Sequence, residues 1–360
     1  MTNRHVTAEY DVTEHINAKG LRGPEFAYAK NPGEKRILIL GDSFAEGYSV
    51  AFDSLFSEVL RRTMVSHGCE GATVINAGTG GYATDQEYLY FVHEGFRYHP
   101  DLTILLVYSN DITDNVQDRH WRGFKPYFKL ENGKLTLANV PVPRPVATEE
   151  EHSDTDEGFF CAAKVWLNDN SRLYALVREF IVNNHRVHAL AMKLGLAERP
   201  SGEGPLIRVP DELKVWRKSY DPQTKRAWEM TGALIRALKE VSIQANSDLL
   251  IFYVPVSASV HKDEWEATKK KYGLSDDEWS IDQVALELKA LCNSAGLDFI
   301  DPTARFVSEA EVLSQQDRLL YFPLDRHWTP EGHRLSGELL FDYLYTNYRP
   351  WFKSPVSARR

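Results

Sequence analysis

The chain has 360 residues, of which 43% are hydrophobic and 26% charged, and its formal net charge is -9. This composition is that of a folded globular protein, with room for one large α/β domain carrying an insertion or for two domains. The acidic balance and the absence of a long Lys/Arg stripe argue against nucleic-acid binding. No stretch reaches the ~20 apolar residues that span a bilayer, so no membrane span is predicted.

Cysteine usage favours a reducing compartment. Cys69, Cys161 and Cys292 lie far apart and show no metal-ligand spacing, so we predict neither a zinc site nor a disulfide framework. One disulfide stays open as an alternative, with a thiol left over. The pattern slightly favours a cytoplasmic over a periplasmic location. Residues 1 to 14 are polar and unlike a signal sequence, while an omitted N-terminal anchor stays an alternative.

The first third of the chain alternates predicted strands and helices. Residues 36 to 40 (RILIL) form a short apolar run, and residues 53 to 64 follow with helical spacing. Residues 73 to 77 predict a second strand and residues 85 to 96 a second helix. Residues 102 to 108 are apolar throughout, as expected for a central parallel strand buried on both faces. This order favours a parallel sheet covered by helices on both faces.

The alternation resumes near residue 225. Residues 225 to 244 carry apolar side chains at helical spacing and precede a buried strand at residues 248 to 254. A helical stripe at residues 281 to 292 leads to a short fifth strand at residues 297 to 300. The last helix, residues 329 to 345, begins with Thr-Pro-Glu, a good N-cap followed by proline at the first helical position.

Between these halves lies a predicted insertion after the third strand. Asn132-Gly133 is a strong signal for a β-hairpin turn between apolar runs. Further along we expect an acidic exposed loop at residues 147 to 158, a helix at residues 171 to 194 and a flexible connection at residues 197 to 205. An insertion at the carboxyl edge of a parallel sheet is placed to cover a ligand site.

These patterns divide the chain into four parts. The predicted domains are an N-terminal extension at 1–34, an α/β domain at 35–118 and 223–348, the insertion at 119–222 and a C-terminal tail at 349–360.

Ser43 is the candidate nucleophile. It follows the first strand in the tripeptide Gly-Asp-Ser, which places it at the carboxyl edge of the sheet on the turn into a helix. There its hydroxyl would face the cleft and its own amide could donate to an oxyanion. The alternative is a simple turn, because Asp and Ser are also preferred there; Asp42 is expected to bind backbone amides.

His327 is the candidate base. A serine hydroxyl needs an adjacent imidazole, itself oriented by a carboxylate. Asp325 and His327 lie two residues apart before the last helix, and in an extended loop this spacing lets the carboxylate reach the ring. The alternative is a surface loop with capping residues. We expect His333 to pack or cap within the last helix.

Two further segments follow the second and third strands. Glycines 78, 80 and 81 allow the backbone to approach a ligand and to aim an N–H into the cleft. Asn110 could direct its side-chain NH₂ at the same oxygen. The alternatives are a tight turn for the glycines and a hydrogen-bonded Asx-turn for Asn110.

Together these four segments resemble the four sequence blocks of SGNH/GDSL hydrolases. GDSFAEG contains Ser43, NAGTGG contains Gly81, SND contains Asn110 and DRHW contains His327. The resemblance implies a flavodoxin-like three-layer α/β/α fold with a central parallel five-stranded sheet. It implies a triad of Ser43, His327 and Asp325. It also implies an oxyanion hole formed by the amides of Ser43 and Gly81 and the side chain of Asn110.

The resemblance covers roughly residues 35 to 115 and 225 to 346, and it has departures. Many members separate the acid and the histidine by three residues, whereas Asp325 and His327 are separated by two. Gly78 or Gly80 is an alternative amide donor. The DxHW pattern is similar to that of membrane-associated O-acetyltransferases that modify polysaccharides.

The expected function is ester hydrolysis through an acyl-enzyme, without cofactor. Small O-acyl groups, for example acetyl on a carbohydrate, are the substrates that the resemblance implies. One alternative is transfer of the acyl group to a sugar hydroxyl, and another is a non-catalytic carbohydrate-binding module on a hydrolase scaffold. The sequence does not fix the oligomeric state.

Overall fold

The computed structural model describes residues 1–120, 123–143 and 209–352. The described residues belong to the first of two units of the chain, which comprises residues 1–143 and 208–360. The predicted acidic loop, the helix at residues 171 to 194, the connection at residues 197 to 205 and Cys161 lie outside them.

A five-stranded parallel sheet forms the centre of the first unit. Its strands in chain order are β3 (Lys35–Leu40), β4 (Ala72–Asn76), β5 (Leu102–Val107), β10 (Asp248–Tyr253) and β11 (Asp298–Ile300). They lie side by side in the order β4-β3-β5-β10-β11, and every neighbouring pair is parallel. The order reverses direction at β3, so the carboxyl ends of β3 and β5 flank the crevice where such sheets hold ligands.

Helices cover both faces of the sheet. Alternate residues of one strand enter different cores, because successive side chains of a strand point to opposite faces. Leu38 and Leu40 pack in one apolar core, together with side chains such as Leu238. Ile37 and Ile39 pack in the other. The predicted three-layer α/β/α fold is confirmed.

The described residues form ten α-helices, which are α1 (Ser43–Glu46), α2 (Phe56–Ser66), α3 (Thr84–His93), α4 (Ser109–Asp114), α5 (Pro222–Gln244), α6 (Ser257–Val260), α7 (Lys262–Tyr272), α8 (Gln283–Ala295), α9 (Thr303–Ser314) and α10 (Pro330–Asn347). Of these, α2, α3, α5, α8 and α10 correspond to predicted helices, and the other five were not predicted. Helix α10 starts as predicted, with the Thr329 hydroxyl accepting backbone N–H groups of the first turn and Pro330 at its first position. Among these helices none is long and apolar enough to cross a membrane.

Three antiparallel pairs lie outside the central sheet. Strands β1 (Thr2–Val6) and β2 (Asp11–His15) form a hairpin at the N-terminus, where no strand was predicted. Strands β6 (Arg119–His120) and β7 (Gly123–Phe124) form a short pair. Strands β8 (Tyr127–Glu131) and β9 (Lys134–Ala138) form the predicted hairpin around the Asn-Gly turn. The domain boundaries themselves stay a prediction.

Candidate active site

The structure places Ser43 at the first residue of α1, directly after β3. Asp42 caps this helix, since its carboxylate accepts the N–H of Phe44 at 2.9 Å. Asp42 therefore serves the turn, as expected. Burial raises the pKa of Asp42 to about 6, against the lowering effect of the Phe44 amide. The tight turn leaves Ser43 only partly buried, with its hydroxyl at the carboxyl edge of the sheet.

Ser43, His327 and Asp325 form a continuous hydrogen-bonded row. The hydroxyl oxygen of Ser43 lies 2.7 Å from Nε2 of His327. Nδ1 of the same ring lies 2.6 Å from Oδ1 of Asp325. A ring nitrogen facing a carboxylate carries the proton, so Nε2 is left to accept from the serine. The two side chains of the acid and the base are about one-fifth exposed, at 17% and 20%.

The loop that holds the acid and the base is a turn rather than the extended segment expected from sequence. Arg326, between them, has a φ of 70°, in the left-handed region that residues other than glycine adopt rarely. Its N–H donates to the carbonyl of Phe322, and the Phe322 N–H donates to the carbonyl of His327. This turn lets two residues at a spacing of two bring carboxylate and ring together.

Asp325 is held as a carboxylate. Burial alone would raise its pKa, but hydrogen bonds from His327, Tyr10 and Tyr48 outweigh burial and lower the pKa to about 2. An ionised acid is what a triad needs to hold the imidazole and stabilise the imidazolium that forms when the serine loses its proton.

The glycine loop after β4 offers one unpaired amide. Gly78 donates to the side chain of Asn76 at 2.9 Å, and Gly80 donates to the Glu46 carboxylate at 2.8 Å. Thr79 donates to the Gly41 carbonyl. For the amide of Gly81, the described part of the chain provides no acceptor. Of the three candidate glycines, Gly81 therefore has the N–H that is available to an oxyanion.

Asn110 lies in the first turn of α4, after β5. Its Nδ2 donates to Asp114 at 3.3 Å, and its Oδ1 is buried without a partner among the described residues. An amide NH₂ carries two hydrogens, so the single long bond to Asp114 leaves one for a ligand. The structure thus places Asn110 at the expected sheet edge, with its donor group engaged on one side.

Sequence reasoning missed three residues that contact the acid. The Tyr10 hydroxyl donates to Asp325 Oδ2 at 2.6 Å, and the Tyr48 hydroxyl donates to the same oxygen at 3.0 Å. The Glu9 carboxylate accepts the backbone N–H groups of Leu324 and Asp325. Glu9 and Tyr10 belong to the N-terminal hairpin, whose residues carry no motif that could have signalled this contact.

His333 contributes packing rather than chemistry. It is 1% exposed, stacks on Phe56 and accepts the Phe56 N–H at Nδ1, 3.3 Å away. Burial, then the charges of Arg22 and His327, lower its pKa to about 3. The ring is therefore neutral and structural, as expected for a residue within α10.

A cavity of about 440 Å³ opens beside the loop that carries the acid and the base. Its wall includes Tyr108, Trp216, Trp265, Glu264 and Arg326. Tyr108 contacts Phe44, and Phe44 contacts the His327 ring, both with centroids 4.6 Å apart. Arg326 is the residue of the acid–base loop that lines the cavity, and Tyr108 and Phe44 lie between the cavity and the His327 ring. Among the described residues no cluster of three His, Cys, Asp or Glu is arranged to hold a metal ion.

Comparisons with known proteins return structural likeness only. Neither a family model nor a curated protein sequence matches the chain. Similar solved structures include a lipase/acylhydrolase from Enterococcus faecalis, with 11% identity, a TM-score of 0.42 and coverage of 87% of this chain and 96% of the other. An acetylxylan esterase from Geobacillus stearothermophilus has 11% identity, a TM-score of 0.43 and coverage of 89% and 97%. At these values the likeness does not bear on activity.

Proposed function

We propose that the chain is a serine ester hydrolase that works through an acyl-enzyme. The observation that carries this proposal is the row Ser43, His327 and Asp325, with contacts of 2.7 Å and 2.6 Å. A hydroxyl that donates to a neutral imidazole, backed by an ionised carboxylate, is the arrangement that activates serine as a nucleophile.

In the proposed mechanism Ser43 attacks the acyl carbon while Nε2 of His327 takes the hydroxyl proton. Asp325 holds the ring and stabilises its positive charge. The carbonyl oxygen becomes an oxyanion, which the amides of Ser43 and Gly81 and the Asn110 side chain would bind. His327 then gives its proton to the leaving alcohol. Water then attacks the acyl-enzyme while His327 takes its proton, and His327 returns a proton to Ser43 as the carboxylic acid product leaves.

For the substrate we propose small O-acyl esters, acetyl above all, carried by a carbohydrate. This part follows from the resemblance of the four sequence segments to SGNH/GDSL hydrolases. The aromatic cavity of about 440 Å³ beside Arg326 has room for the alcohol part of such an ester. It also has room for a longer acyl chain, so chain-length preference is the informative measurement.

A fluorophosphonate probe tests the nucleophile directly. We expect labelling of the wild type and none of Ser43→Ala, with Ser49→Ala as the matched control because Ser49 follows the helix that Ser43 begins but is buried. Absence of labelling in the wild type would favour a non-catalytic carbohydrate-binding module.

A panel of p-nitrophenyl esters of increasing chain length tests the acyl group, and we expect acetate to be turned over best. Product analysis with an acetyl donor and candidate sugars separates hydrolysis from transfer. Free acetate supports the hydrolase, whereas an acetylated sugar would identify an O-acyltransferase.

A further inference from the structure

The carboxylate of Asp325 receives three side-chain donors. His327 Nδ1 meets Oδ1 at 2.6 Å, Tyr10 meets Oδ2 at 2.6 Å, and Tyr48 lies 3.0 Å from Oδ2 and 3.3 Å from Oδ1. Tyr48 also lies 3.2 Å from His327 Nδ1. A carboxylate has about four acceptor positions, so the two phenols take the positions that water would otherwise fill.

The same hairpin also holds the backbone of the acid. Glu9 accepts the N–H groups of Leu324 at 2.9 Å and Asp325 at 2.8 Å. The Tyr10 ring packs on Phe322 with centroids 5.1 Å apart. Side chain and backbone of Asp325 are therefore both fixed by residues 9 and 10, which lie outside the segments that resemble known hydrolases.

We propose that Tyr10 and Tyr48 are positioning residues of the triad, which fix the Asp325 carboxylate against His327 and limit the negative charge that it presents to the ring. The inference rests on the proposed function, because positioning matters only if His327 acts as a base. A hydrogen bond to an ionised acceptor stabilises its charge. Because the phenols already stabilise the Asp325 charge, the carboxylate stabilises the imidazolium less than a carboxylate without these donors would.

Both phenols remain donors at working pH. Burial, followed by the hydrogen bond to Asp325, raises the pKa of Tyr10, and burial followed by the charge of Asp325 raises the pKa of Tyr48. Each hydroxyl therefore keeps its proton. The carboxylate, with a pKa of about 2, stays ionised over the pH range in which an imidazole titrates.

Other titratable or charged groups also face this site. They are Asp42 beside the nucleophile, His333 on α10, Glu9 on the hairpin, the Arg326–Glu264 ion pair and the His5–Glu14 pair behind Tyr48. The variants proposed below leave all of these groups in place. A change in His327 can then be traced to the phenols.

The test is the titration of the His327 ring, followed by NMR with ring-labelled histidine and assigned with a His327→Asn variant. In Tyr10→Phe and Tyr48→Phe the carboxylate loses one of the donors that stabilise its charge. Its charge then interacts more strongly with the imidazolium and favours that form. We expect the midpoint to rise by about half a pH unit in each, and further in the double variant. Tyr348→Phe is the matched control, because its phenol donates to Asp248 at the other end of the sheet, and its midpoint should not move.

Activity gives a second readout. The pH at which kcat/KM falls on the acid side should rise together with the midpoint of the His327 titration, while KM changes little. A midpoint that stays fixed or falls in both single variants overturns the proposal, whatever the activity. If the midpoint shifts but no serine-directed probe labels the protein, the effect of the phenols on Asp325 and His327 is supported. In that case the hydrolase proposal is the one that is overturned.

Discussion

Glu46 accepts the backbone N–H of Gly80 at 2.8 Å, so the last residue of the nucleophile helix fixes the glycine loop that follows the neighbouring strand. A Cβ at Gly80 would meet this carboxylate at 2.7 Å and would lie 3.8 Å from the Ser43 Cβ. A larger residue at position 80 would therefore displace the Glu46 carboxylate, whereas its contact with Ser43 would be an ordinary van der Waals contact. With the Gly80 amide occupied, the next amide, that of Gly81, is the donor of the proposed oxyanion hole.

Replacing Glu46 should therefore misplace the oxyanion donor without removing it. We expect Glu46→Ala to lower kcat by about 10- to 100-fold, since small displacements of a positioned group cost that much. Glu46→Gln keeps an acceptor oxygen and should lose much less. Steady-state kinetics with p-nitrophenyl acetate provide the comparison, and equal rates for all three proteins would show that the loop needs no such anchor.

Asn110 should act through its NH₂ group. Loss of one oxyanion donor usually lowers kcat by about 10² to 10³, and we expect that loss for Asn110→Ala. Asn110→Asp, which has the same size but no donor, should be as poor. Thr113→Ala is the control on the same helix, because its hydroxyl only donates to the Asn110 carbonyl. Retention of full rate in Asn110→Ala would remove this residue from the oxyanion hole.

The residues proposed to act on the substrate could be predicted from sequence because their positions depend on local patterns. Strand ends of a parallel sheet share one edge, so residues after β3, β4 and β5 must lie near one another. Ser43, Gly81 and Asn110 lie three to five residues after the ends of those strands. His327 was placed by its motif and by its position before the last helix.

The residues that hold Asp325 in place could not be predicted. Their contacts join residues that are distant in sequence, and no periodic pattern in the sequence signals them. Tyr10 and Asp325 are 315 residues apart in sequence, and a two-stranded hairpin gives no signal of what it will pack against. The left-handed turn at Arg326 was missed for a different reason. Such a φ is rare outside glycine, and the surrounding loop imposes it.

Asp325 should be the triad acid in spite of its unusual spacing from the histidine. Asp325→Asn cannot stabilise the imidazolium and favours the wrong ring tautomer, so kcat should fall by about 10³ to 10⁴. The control is Asp298→Asn, in which another phenol-bonded carboxylate, remote from the site, is changed. If kcat fell less than about tenfold in Asp325→Asn, a different group would have to orient His327.

His333 should make stability depend on pH. Its pKa of about 3 in the native state lies below its ordinary value of 6.5. Between these values the unfolded chain binds a proton that the native chain excludes. Above about pH 6.5 the His333 ring is neutral in both states and does not lower the free energy of unfolding. As the pH falls from 6.5 towards 3, proton binding to the unfolded chain lowers that free energy by at most about 1.4 kcal/mol per pH unit.

The measurement is urea unfolding of wild type and His333→Gln between pH 4 and 7. Glutamine does not titrate and can still accept the Phe56 N–H. We expect the free energy of unfolding of the variant to vary less steeply over this range, relative to wild type. Parallel curves would mean that His333 does not resist protonation. Other titrating groups cancel in the comparison because both proteins contain them.

Arg22 should hold the loop behind the nucleophile. It is 3% exposed, donates to the carbonyls of Glu46, Gly47 and Val50, and lies 3.6 Å from the buried Glu14 carboxylate. Arg22→Ala removes the guanidinium that faces this charge and donates to three carbonyls, which should cost about 3 to 5 kcal/mol of unfolding free energy. Arg4→Ala removes an exposed arginine of the same N-terminal region and should change stability little. Chemical denaturation of both variants decides the matter, and similar midpoints would refute a structural role for the buried guanidinium.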